Sequence, residues 1–209
     1  MSTRVNGLFP GELQPDQSLA GGIDIFENAW KNPKYAIDQV ESVCSDPEKG
    51  VYWQQAETVG HGPIQDMRTN QICHITYQAD VTGNGVMQNI HNQFYVLLLA
   101  ASIPYAKRYG MEEGLFHEQY SMLRYRQNQE YKAHYDSNTG MGRAISALCY
   151  LNDDYKGGEL EFVNQKIQIK PKAGMLILFP SNFTFSHRSM PVTHGTKYAM
   201  VTWIRDREF

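Results

Sequence analysis

The 209 residues, 42% hydrophobic and 20% charged, are enough to bury one core and exclude both a stapled mini-protein and a disordered tail. With 19 Lys+Arg against 22 Asp+Glu the net charge is -3, so there is no bulk positive field for a phosphate backbone, and nucleic acid is not an expected partner. Cys44, Cys73 and Cys149 lack paired spacing, no apolar leader opens the sequence, and the longest apolar run (94–101) is too short to span a bilayer; the expectation is a cytoplasmic chain without a disulfide framework or membrane partner.

In chain order, Asn32-Pro33 reads as a helix start, with Ala36, Ile37, Val40, Val43 and Cys44 at helical spacing behind it. A second helix is expected after the turn Thr82-Gly83-Asn84-Gly85. Its stripe is Val86, Ile90, Phe94, Leu97, Leu98 and Ala101, and Pro104 marks its end. Between the helices, Tyr52 to Val59 and Ile72 to Tyr77 read as short strands. From about Glu118 the texture changes to β-rich runs separated by turn residues: SMLRYR, EYKAHYD, AISALCYL, ELEFV, KIQIK, MLILF, FTFSH and KYAMVTWI. About eight strands without a long helix between them imply two packed antiparallel sheets. The expected fold is mainly β with α, a double-stranded β-helix (a cupin-like jelly roll) whose N-terminal helices cover one face. One domain, 1–209, is expected, with 1–114 as helical support and flanking strands and 115–209 as the core.

Strand side chains alternate faces, so His134 and Asp136 of His134-Tyr135-Asp136 point the same way and offer nitrogen and oxygen donors to one metal. An isolated HxD is weak evidence. Further on, FSHRSMPVTHGTKYAMVTW carries His187 on one strand and Lys197 on the next, read as hairpin neighbours. Two histidines and a carboxylate on one face of an iron leave three positions open, the arrangement of non-haem Fe(II) oxygenases. A buried lysine nearby would hold an acid. His194, in the turn before Lys197, is the rival third ligand. His61, His74, His91 and His117 lack partners at ligand spacing and read as solvated or hydrogen-bonded.

Over roughly Met122 to Asp206 the sequence resembles the 2-oxoglutarate and Fe(II)-dependent dioxygenases, in their prolyl 4-hydroxylase branch. The resemblance rests on an ordered set: Tyr125, the His134/Asp136 pair, the strand from Arg143 to Leu151, Gly157-Gly158-Glu159, and His187 through Pro191, Val192 and Gly195 to Lys197. It implies that His134, Asp136 and His187 bind iron and that Lys197 pairs with the distal carboxylate of 2-oxoglutarate. Tyr150 would reinforce that contact, and Tyr125 either lines the same pocket or fills ordinary core. Arg143 matches an arginine that contacts peptide, although its odd spacing from Tyr150 puts the two on opposite faces of an unbulged strand, and a solvated charge is the other reading. Trp203 is expected to pack in the core. The implied cofactors are Fe(II), 2-oxoglutarate and O2, with ascorbate as reductant. The implied reaction is C–H hydroxylation with release of succinate and CO2, its substrate a proline-containing peptide or protein bound near Gln54 to Asn70 and Ser137 to Gly142.

Two alternatives stand beside it: the same chemistry on a free amino acid, small metabolite or non-proline residue, and a non-catalytic cupin-like binding protein, against which Lys197 argues. The absence of paired cysteines and of a leader suggests a cytoplasmic enzyme of microbial or viral source. The sequon at Asn182 reads as an unmodified turn, and the oligomeric state is not visible in the pattern.

Overall fold

Alternation of side chains in the second half of the chain produces two antiparallel sheets, seen in a computed structural model that describes residues 11–57, 67–111, 115–137, 140 and 142–206. The larger sheet runs in the order Gln17–Leu19, Ile23–Phe26, Leu176–Pro180, Arg143–Tyr150, Lys197–Arg205, Ser121–Tyr125, Gln71–His74 and Gln54–Gln55, with Phe116–His117 also on the Lys197–Arg205 strand. The smaller sheet is Ile167–Ile169, Leu160–Phe162, His187–Ser189 and Tyr131–His134. A separate pair joins Val192–His194 to Lys156–Gly157. The expected double-stranded arrangement is therefore present.

The run MLILF is apolar without alternation because both faces of its strand are buried. Leu176 and Leu178 face a core shared with the helices, whereas Ile177 and Phe179 face the smaller sheet beside Leu160 and Phe162. Arg143–Tyr150 divides in the same way, with Ile145, Ala147 and Cys149 towards the helices and Ser146, Leu148 and Tyr150 left on the inner side by strand parity.

Three α-helices cover the outer face: α1 (Pro33–Cys44), α2 (Ile75–Thr82) and α3 (Gly85–Arg108). Helix α1 begins where expected, although Asn32 holds the cap position without a side-chain cap bond. Helix α2 corrects the strand reading of 72–77, since only Gln71–His74 is a strand. Its β-branched sequence favours a strand, but Ile75, Gln78 and Ala79 are buried at helical spacing and Gly83 closes the helix with φ +63°, so packing against α3 overrides propensity. Likewise 52–59 reduces to a strand of two residues among those described.

Helix α3 starts with Asn84 Oδ1 accepting from Val86 and Met87 N–H at 3.0 and 3.2 Å, then continues through Pro104 to Arg108. Proline should have ended it, because Pro104 cannot donate to the carbonyl of Ala100. The N–H of Leu13 donates to that carbonyl instead, at 2.9 Å. No helix among the described residues is long and apolar enough to cross a membrane.

Candidate active site

His134 and His187 are direct partners across neighbouring strands of the smaller sheet, so their rings project from one face with centroids 4.4 Å apart. Asp136 lies just past the end of its strand, Tyr131–His134. There its N–H donates to Ser181 O at 3.1 Å and its Oδ2 accepts from Ser146 Oγ at 2.6 Å. Ser146 belongs to the larger sheet, so the carboxylate is fastened from the opposite wall. His134 Nε2 stands 3.5 Å from Asp136 Oδ1 and His187 Nε2 3.6 Å from Asp136 Oδ2.

The far nitrogens fix the tautomers. His134 Nδ1 lies 2.8 Å from Lys132 O and His187 Nδ1 3.1 Å from Phe185 O. A carbonyl only accepts, so each Nδ1 carries the hydrogen and each Nε2 turns a lone pair towards the carboxylate. Burial holds His187 down to about 4, against the opposing pull of Asp136, which keeps the imidazole neutral as a ligand must be. Burial alone would raise the Asp136 carboxyl, but His187, His134 and the Ser146 bond hold it well below the usual range. One ligand atom from each residue falls within 4.8 Å of the others. Two imidazole nitrogens and a carboxylate oxygen, without sulfur, suit a redox-active iron with open positions.

Lys197 opens the longest strand of the larger sheet, opposite Tyr125. It is not a hairpin neighbour of His187. The two sit in facing sheets, because the segment between them spends Val192–His194 on the separate two-stranded pair. That separation makes a pocket. Lys197 Nζ donates to Gly158 O at 2.6 Å and to Ser189 Oγ at 2.8 Å, and lies 5.1 Å from the ring centroids of both Tyr125 and Tyr150. Gly158 is required here: its φ is +67°, and a Cβ would stand 3.1 Å from the Lys197 side chain. Burial drives the ammonium down to about 7, with only Glu159 pulling it back. Burial also raises the Tyr125 phenol to about 12 and Tyr150 well above its ordinary value, so both remain neutral donors. One cavity is lined by His134, Asp136 and His187 at one end and by Lys197, Tyr125, Tyr150 and Ser189 at the other. Ser189 is two residues beyond His187 on the same strand face, so the ends are about 7 Å apart along that strand, of the order of a five-carbon dicarboxylate.

Arg143 reaches the cavity side through a bulge. Opposite it the register shifts between Ile204 and Arg205, which cancels the odd spacing from Tyr150. It is not a solvated charge: Nε and Nη2 donate to Glu118 at 2.8 and 2.7 Å, Nη1 to Asp136 O at 3.2 Å, and the guanidinium stacks 3.7 Å over Trp203. Arg205 also donates to Glu118, at 2.8 Å. Trp203 packs as expected, against the buried cluster that includes Leu123, Tyr125 and Val201. Six residues from Lys197, it shares that side chain's face and lines both the inner cavity and a wider outer one, with its indole Nε1 buried and unpartnered. Arg68, which the sequence did not single out, also lines both cavities. It packs 4.6 Å over Tyr131, whose ring stacks on His134 at 3.5 Å.

The rival His194 is exposed on its short strand and stands apart from the three-ligand cluster. His74, His91 and His117 are hydrogen-bonded to Ser121, Thr76 and Tyr120, while His61 lies outside the described residues, as do 58–66, 138, 139 and 141 of the two expected substrate segments. Asn182 caps a turn at Phe183–Phe185. Among the residues missed, Ser146 and Ser189 were legible in principle from their even spacing to Tyr150 and His187. Arg68 carried no such spacing signal of its own, although it falls in the expected substrate segment Gln54 to Asn70.

Residues 120–205 match the 2OG-Fe(II) oxygenase superfamily. A protein of Acanthamoeba polyphaga mimivirus, assigned as a prolyl 4-hydroxylase, is 34% identical over 112 residues, 44% of this chain and 46% of that one. The chain spans less than half the length of the first curated relatives it matches. Among solved structures, a prolyl hydroxylase from Trichoplax adhaerens in complex with a hypoxia inducible factor peptide fragment aligns with TM-score 0.70 and 21% identity, over 90% of this chain and 84% of that one. The viral collagen prolyl hydroxylase of Paramecium Bursaria Chlorella virus-1, as its 2OG complex, aligns with TM-score 0.59 and 19% identity, over 89% and 97%. Those likenesses establish the shared fold.

Proposed function

We propose, from the premise that this chain belongs to the 2OG-Fe(II) oxygenase superfamily, that it hydroxylates a prolyl residue of a peptide or protein at C4, converting 2-oxoglutarate and O2 to succinate and CO2. The observation that carries this reading is the two-ended cavity, with a His134/Asp136/His187 ligand set at one end and the buried ammonium of Lys197 at the other. A merely structural metal site has no use for such a lysine.

In this account His134, Asp136 and His187 would hold Fe(II), which supplies the oxygen activation and C–H oxidation that no side chain can perform, with ascorbate as an external reductant. Lys197 binds the far carboxylate of 2-oxoglutarate and Ser189 supports it; the neutral phenols of Tyr125 and Tyr150 donate towards the same group. Ser146 and Ser181 orient the Asp136 carboxylate. Phe162 and Phe179 lie against His187 and keep water from its buried side. The peptide enters by the outer cavity, which meets the inner one at Arg68 and Trp203. The Trp203 ring lies at this mouth beneath the Arg143 guanidinium, and Glu118 holds Arg143 there. The prolyl target itself rests on the relatives.

Residues 1–209 read as one catalytic domain, and the three free cysteines suit a reducing compartment such as the cytoplasm. The test is mass spectrometry of proline-containing peptides incubated with the protein, Fe(II), 2-oxoglutarate and O2. One added oxygen on proline with stoichiometric succinate is expected. Oxygen on another residue or a small metabolite would move the substrate class, and no succinate under any condition would leave the non-catalytic binding reading.

A further inference from the structure

Cys44 ends α1 and Cys73 lies in the strand Gln71–His74, and one arginine accounts for their meeting. Arg124 donates from Nη1 to both carboxylate oxygens of Glu41 at 2.7 and 2.8 Å, and from Nε and Nη2 to Gln71 Oε1 at 3.1 and 2.7 Å. Cys44 is three residues beyond Glu41, on the same helical face. Cys73 is two beyond Gln71, on the same strand face. The clamp at Glu41 and Gln71 thus turns the two thiols towards one another in the same helix-facing core, where Cys44 packs against the cluster that holds Cys73 and each thiol perturbs the other, while the Cys73 thiol donates to Gln78 Oε1 at 3.7 Å. Cys73 is fully buried, Cys44 half-buried, and neither lines the inner or the outer cavity.

We propose that Cys44 and Cys73 form an oxidation-sensitive pair which hydrogen peroxide converts to a disulfide joining α1 to the strand Gln71–His74. Cys44, the reachable thiol, attacks a peroxide oxygen; the O–O bond breaks, water leaves, and a sulfenic acid remains. The Cys73 sulfur then attacks the Cys44 sulfur, the S–O bond breaks and a second water leaves. Two thiols have lost two electrons and two protons, and the peroxide has become two waters. The division of labour follows exposure: Cys44 is half-buried and can meet peroxide, whereas Cys73 is fully buried with its thiol directed to Gln78 Oε1 and can act only on a partner already beside it. The chain between the two cysteines supplies Gln54, Gln55, Glu57 and Arg68 to the outer cavity, so the bond would fix both ends of the segment that forms this wall. Cys149, fully buried in the helix-facing core, is the built-in control.

The test is peroxide treatment of the full chain, alkylation, and peptide mapping without reduction. The expected result is one intramolecular Cys44–Cys73 cross-link lighter by two hydrogens, Cys149 alkylated, and a dithiothreitol-reversible rise in Tm of roughly 5–10 °C. Cys44→Ser, a change at a half-buried position, is expected to leave Cys73 alkylated and unoxidised. Sulfinic acid on Cys44 beside an alkylated Cys73, a disulfide between two copies of the chain, or direct oxidation of Cys73 in the variant would each overturn the proposal. Because the readout is thiol chemistry, it does not depend on hydroxylase activity.

Discussion

The two ends of the inner cavity hold charge in opposite ways. At the triad end every group has a second partner: Lys132 O and Phe185 O fix the imidazoles, and Ser146 and Ser181 fasten the carboxylate and its backbone. At the other end Lys197 meets only neutral acceptors, Gly158 O and Ser189 Oγ, and burial works against its charge. Under the proposed function, the difference separates a preorganised ligand set from a subsite whose electrostatics an incoming anion would complete.

The comparison breaks most severely at Asp136. Asp136→Ala leaves two imidazoles without their anionic partner, and both Fe(II) binding and turnover should fall to background, as read by metal content after desalting. At the opposite end, Lys197→Ala should weaken 2-oxoglutarate binding by about 2–5 kcal/mol while iron content is retained. Equal loss at both ends would mean that they are not separable. Ser146→Ala removes only a supporting bond to Asp136. A loss of roughly 10–100-fold in metal affinity is expected, read by competition with a chelator, with 2-oxoglutarate binding at saturating metal little changed.

The smallest effect is in pH. The ammonium of Lys197 is present below about 7 and is lost above it, so 2-oxoglutarate binding should take up a proton above that pH, and affinity should fall by up to about tenfold per unit. Calorimetry in buffers of different ionisation enthalpy reads this directly. Folding stability without cosubstrate carries the opposite sign from this group: the unfolded chain keeps its proton to about 10.5, so the penalty of burying a charge lessens as pH rises from about 7.

Local periodicity made much of this architecture readable. The strand runs after Glu118, the start of α1 and the His134/Asp136 pair all follow from spacing alone, and the step from His187 to Lys197 entered through the family resemblance. What spacing could not show were consequences of three-dimensional pairing. The sheets of His187 and Lys197 were merged into a hairpin because sequence adjacency is silent about crossing between sheets. Arg143 was placed ambiguously because a bulge depends on the partner strand. Pro104 failed to end α3 because a distant N–H, that of Leu13, took the orphaned carbonyl, and Arg68 reaches the cavity from a segment far from the motif.

The central claim is that His187, and not His194, completes the iron site at the triad end. Wild-type, His187→Ala and His194→Ala proteins reconstituted anaerobically with Fe(II) and assayed for bound iron and succinate from 2-oxoglutarate test it most directly. Iron and turnover should be lost in His187→Ala and kept in His194→Ala; the reverse pattern would contradict the account.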